Sequence, residues 1–159
     1  MSEALADEIL EQIVNYYRID ENIATSGQPE TEQFKAISAK GFEVVFNLAL
    51  IDSPKAVGDE NKIIRNLNMT YVHIPVDFKS PDLEDLELFF KHMEKHNNKK
   101  IFIHCVMNWR VSAFIFLYHT IKCHMPIIDA RNHMDAVWQP DPVWQDFIDH
   151  ALNTYGSHP

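Results

Sequence analysis

"IFIHCVMNWRVSAF", residues 101–114, decides how this chain is read. An apolar run, Ile101 to Ile103, leads into His104 and Cys105. Arg110 follows after a short gap, and from Val111 the residues are apolar nearly all round. That pattern predicts a buried strand, a tight loop and a central helix. A thiol and a guanidinium stand where they meet.

Working outward, the same alternation recurs. Residues 22–29, 42–50 and 70–76 read as strands, joined by the strand that ends at Cys105. Helices are predicted over 4–17, from Pro29 to Gly41, around 61–67, and from a Ser80 cap with Pro81 in the first turn, burying Leu86, Phe89, Phe90 and Met93. Further helices are expected over 110–123, 126–137 and 142–154. Strands separated by helices require crossovers. The expected fold is therefore α/β, with about four mostly parallel strands covered by helices on both faces. Residues 1–159 form one expected domain, with a core over about 18–122 and a terminal helical cover over 126–155. Ligands in such sheets bind beyond the carboxyl ends of the strands, and Cys105 lies at such an end.

Composition narrows the function. The chain has 159 residues, 46% of them hydrophobic, and a net charge of −9, with a pI near 5.4. That balance argues against a nucleic-acid grip and requires any anion site to be a local feature. The cysteines, Cys105 and Cys123, are too sparse for a disulfide framework and read as reduced thiols. The acidic start does not resemble a secretory signal, and no run of about 18 apolar residues is present to span a membrane. A cytoplasmic setting is expected. His119, Cys123, His124 and His133 match no strong zinc spacing, so neither metal nor cofactor is expected. Trp138, Trp144 and Tyr155 read as packing residues of the last helices.

A loop that closes a strand and opens a helix aims successive N–H groups into one concavity, and the helix adds positive potential. Thiols in such places are activated nucleophiles. Val106, Met107, Asn108, Trp109 and Arg110 would line the cradle. Asn108 has a side chain that tolerates a left-handed backbone, and the Arg110 fork suits an oxyanion. Ser112, one turn on, is placed to assist a leaving thiolate. Attack on a phosphorus ester also needs an acid. Asp77, just after the third strand, is preferred over Asp82 and Asp85, which suit a helix's first turn; a turn-forming role for Asp77 stands beside the acid role. His104 either holds the loop or is a core histidine.

"HCVMNWRVS" resembles the signature loop of the protein tyrosine phosphatase superfamily, especially its dual-specificity branch. "ATSGQPETEQFKAISAKGFEVVFNL" is similar to the start of a bacterial phosphatase-like family found alone or fused to beta-lactamase-like hydrolases. "YVHIPVDFKSPDLEDLELF" resembles the acid loop and following helix, with Asp77 at the acid's place. The likeness implies a four-stranded parallel sheet, a phosphocysteine intermediate, no metal, and a phosphorylated protein or small phosphoester as substrate. The loop departs from the usual pattern. Four residues separate Cys105 from Arg110 where five are usual, Asn108 stands where Gly is usual, and Val111 fills the customary Arg position. The shorter spacing is shared with that bacterial family and is similar to rhodanese-type sulfurtransferases, whose cradle suits a persulfide. Two alternatives accompany the phosphatase reading: sulfur transfer through a Cys105 persulfide, and a phosphate- or protein-binding domain on a retired scaffold.

Overall fold

The computed structural model describes residues 1–156. In chain order its elements are α1 (Glu3–Glu11), β1 (Tyr17–Arg18), β2 (Ile23–Ser26), α2 (Thr31–Ala39), β3 (Val44–Asn47), α3 (Glu60–Asn66) and β4 (Thr70–His73). There follow α4 (Leu83–Lys95), β5 (Ile101–His104), α5 (Trp109–Leu117), a π-helical turn (Tyr118–Lys122), α6 (Ile127–Asp135) and α7 (Pro142–Tyr155). The sheet order is β1-β2-β5-β3-β4. All pairings are parallel except β1 with β2.

Side-chain alternation along the central strands builds two cores. Val44, Phe46, Ile101 and Ile103 pack with α4, α5 and α7 on one face. Val45 and Phe102 pack with α1, α2 and α3 on the other. A buried strand must serve both faces, which explains the unbroken apolar runs. The same alternation sends His104 toward the α3 side and Cys105 toward α4 and α5.

Several boundaries differ from expectation. The sheet has a fifth strand, β1, an antiparallel two-residue edge too short to show a period. α1 stops at Glu11, so Val14 and Tyr17, both inside the expected helix, lie beyond the observed one. Pro29 precedes the Glu30 cap of α2. Asp82, not Ser80, caps α4: its carboxylate accepts from Asp85 N–H at 2.8 Å. Asp is the better acceptor against the helix dipole. The helix after Arg110 loosens at Leu117 into the π turn, where Thr120 Oγ1 donates back to the Phe116 carbonyl at 3.0 Å.

The turn after β2 shows why a glycine is needed. A Cβ on Gly27 would lie 2.3 Å from the Val106 carbonyl oxygen and 2.6 Å from Val14 Cγ1. The Cys105 loop therefore rests directly on this backbone. Gly27→Ala should destabilise the fold by about 1–3 kcal/mol, the usual cost of overpacking. Urea unfolding measures it, and an unchanged midpoint would refute the close approach.

Candidate active site

Residues 105–110 turn their peptide groups inside out. The carbonyls are tied outward. Gln28 N–H donates to Val106 O at 2.9 Å, Asn15 Nδ2 to Met107 O at 2.9 Å, and Ser112 N–H to Asn108 O at 3.0 Å. Ser112 Oγ donates to Trp109 O at 3.0 Å. The N–H groups of Val106, Met107, Asn108, Trp109 and Arg110 find no acceptor among the described residues. Five successive donors thus belong to one turn around Cys105, at the N-terminus of α5. Such a turn has the donors that an anion requires.

Asn108 makes the turn feasible. Its φ of 68° is left-handed, and its side chain repays the strain by donating to Asn15 O and Thr25 Oγ1, both at 2.9 Å. These bonds lash the loop to the segment before β1 and to β2. Cys105 is 1% exposed and sits with Arg110 in a depression of about 220 Å³, lined also by Pro54, Phe78, Val106, Met107 and Trp109. Arg110 is itself buried, and one arm of its fork donates to Val76 O at 2.8 Å.

Asp77 follows that anchored carbonyl. It is exposed, and its Oδ1 accepts from Lys79 N–H at 2.9 Å, so it shapes the turn. Its neighbour Phe78 lines the same depression as Cys105 and Arg110. The structure therefore brings Cys105, Arg110 and the Asp77 loop together. The Ser112 hydroxyl is held by Trp109 O, one helical turn behind the loop.

Sequence reasoning missed what stands behind His104. The His104 ring meets Glu60 at 2.7 Å, Nε2 to Oε2, and approaches Cys105 O through Nδ1 at 3.3 Å. Gln28 Nε2 donates to the other Glu60 oxygen at 2.9 Å. His104 and Glu60 are both buried. Burial pushes the Glu60 carboxyl up, but the His104 ring and hydrogen bonds from His104, Gln28 and Tyr71 outweigh it and hold the carboxyl below its ordinary value. Tyr71 is pushed far the other way, by burial and then by the Glu60 charge, so it stays a neutral donor. The sequence leaves His104 open between holding the loop and sitting in the core, and Glu60 resembles any acidic first-turn residue there. The glutamine of "SGQP" was the available clue.

Among the described residues no group of three or more His, Cys, Asp or Glu side chains is placed to hold a metal. Nor is any described helix long and apolar enough to cross a membrane.

Glu60 titrates lower in the folded chain than in the unfolded one. Its contribution is therefore complete above its ordinary value of 4.5 and is lost as pH falls through the folded value. Glu60→Gln should cost about 1–3 kcal/mol at neutral pH, and the gap from wild type should narrow on acidification. Urea unfolding across pH tests this; a pH-independent gap would contradict it.

Known proteins share this fold. Residues 14–142 match the family model described as DSP-PTPase phosphatase fused to NAD+ kinase. The fusion partner it names is NAD+ kinase, where the sequence resemblance pointed to beta-lactamase-like hydrolases. Among solved structures, a candidate phosphatase (DUF442) from Shewanella putrefaciens CN-32 is 32% identical, with a TM-score of 0.84 over 94% of this chain and 99% of that one. Tk-PTP in its active form is 16% identical, with a TM-score of 0.72 over 87% and 97%. PTPMT1, solved in complex with PI(5)P, is 12% identical, with a TM-score of 0.74 over 88% and 96%. The last two likenesses show the fold alone. No curated protein matches the chain. With the family model spanning most of its length, the chain belongs to the dual-specificity and tyrosine-type phosphatases, hydrolases of phosphoric monoesters.

Proposed function

We propose that the chain hydrolyses phosphomonoesters through a phosphocysteine on Cys105. The observation that carries this reading is the turn of five unpaired N–H groups around a thiol, with Arg110 in the same depression. The dianionic phosphoryl group sits on the N–H groups of residues 106–110 and on the free arm of the Arg110 fork. Positive dipoles fixed in a small buried site stabilise the extra charge of the transition state without reorganising.

The Cys105 thiolate attacks phosphorus. The S–P bond forms as the ester P–O bond breaks, and the departing oxygen takes the proton of the Asp77 carboxyl. Water then attacks the phosphocysteine, Asp77 takes a proton from it, and the S–P bond breaks to return the thiolate and free phosphate. Ser112 assists by swinging its hydroxyl from Trp109 O toward the departing sulfur. His104, braced by Glu60, holds the loop from behind. The substrate is a phosphorylated protein or a small phosphoester, and no metal or cofactor takes part.

With an aryl phosphate at mildly acidic pH, Cys105→Ser should lower turnover by at least about a thousandfold, and vanadate should inhibit the wild type. Undiminished turnover in Cys105→Ser would remove the mechanism. The four-residue Cys–Arg spacing favours one rival, a sulfurtransferase. One sulfur gained on Cys105 from thiosulfate, without aryl phosphate turnover, would put that reading in its place.

A further inference from the structure

The last helix, α7, reaches the loop that carries Asp77. Trp144, in the first turn of α7, is fully buried, and its indole N–H donates to Phe78 O at 2.9 Å. Across from it, Arg110 donates to Val76 O at 2.8 Å. Asp77 thus lies between two residues whose carbonyls are each held by a buried cationic or indole donor. The Phe78 ring is caged as well, with ring centroids 5.9 Å from Trp109, 6.1 Å from Trp138 and 5.8 Å from Trp144. Trp144 is in turn fixed, because Asp141 caps α7 by accepting from Trp144 N–H at 2.8 Å.

We infer that Trp144 is a positioning residue for the acid step: its N–H, opposite Arg110, presets the backbone at Asp77 so that the carboxyl faces the leaving oxygen without a closing motion. The inference rests on the phosphatase reading above and deepens it. A buried indole N–H must find an acceptor. This one takes a carbonyl from a loop more than sixty residues away, beside the proposed acid, and not an acceptor in its own helical cover. Pinning the residues on either side of Asp77 removes the freedom that an exposed turn otherwise has, and a general acid gains rate from being held within reach.

A purely structural tryptophan and a positioning tryptophan differ in which substrates suffer. Protonation matters for a poor leaving group, such as unsubstituted phenol, and little for a strongly electron-poor phenol that departs as its anion. Trp144→Phe keeps most of the ring and loses the N–H. For phenyl phosphate its kcat/KM should fall about tenfold or more, within the range a general acid supplies. For the electron-poor ester it should change by less than about twofold.

In an Asp77→Asn background, Trp144→Phe should add no further loss, because the acid it positions is gone. Asp141→Ala, which removes the cap that fixes Trp144 and lies outside the depression, should give the same split in milder form and covers the case in which Trp144→Phe does not fold. Equal losses on both esters, or none on either, would overturn the inference and leave the phosphatase reading intact. Wild-type hydrolysis that survives Cys105→Ser would overturn both.

Discussion

Everything in this molecule that bears on chemistry depends on the direction of the peptide groups in residues 105–110. Outward hydrogen bonds from Gln28, Asn15 and Ser112 claim the carbonyls, and the N–H groups are left without an acceptor among the described residues. The loop cannot adopt that form alone. It needs left-handed Asn108, lashed to Asn15 and Thr25, and it needs Gly27, whose missing side chain lets the loop backbone settle on the β2 turn. The parallel register of β2 beside β5, pairing Ser26 with His104, brings these parts level.

A cradle made of dipoles also answers the charge problem. A chain with a net charge of −9 offers an anion no long-range attraction, so the favourable field has to come from oriented amides and one buried guanidinium at close range. Behind the cradle, Glu60 is sheltered from water yet remains ionised, because His104, Gln28 and Tyr71 all meet it. In front, one arm of Arg110 holds the Val76 carbonyl, linking the Cys105 loop to the segment that carries Asp77. The site is thus braced from three layers: α3 behind, β2 beneath and α7 across the acid loop.

Much of this was legible in the residue pattern. The order apolar run, His-Cys, Arg, apolar helix has few structural solutions, and Cys105, Arg110 and the Asp77 loop do converge. Local punctuation was less readable. The two-residue strand β1 has no period to detect, and Asp82 competes with Ser80 for the same cap within one short polar stretch. The π turn carries a threonine that bonds back to its helix, a feature that apolar periodicity does not register. Long-range polar contacts were the least legible. Glu60 meets His104 from 44 positions away, and Trp144, read as a packing residue, also binds a carbonyl beside Asp77. Pairings of that kind are decided by which faces the sheet presents, and only the assembled fold reveals them.

On the proposed mechanism, the N–H groups of residues 106–110 together receive an oxyanion. The most direct test is a titration of the nitrogen-labelled chain with tungstate, following backbone amide resonances. Saturable shifts concentrated on Val106 through Arg110, with one shared affinity, are expected. Shifts that bypass that loop, or a loop that does not respond at any concentration, would contradict it.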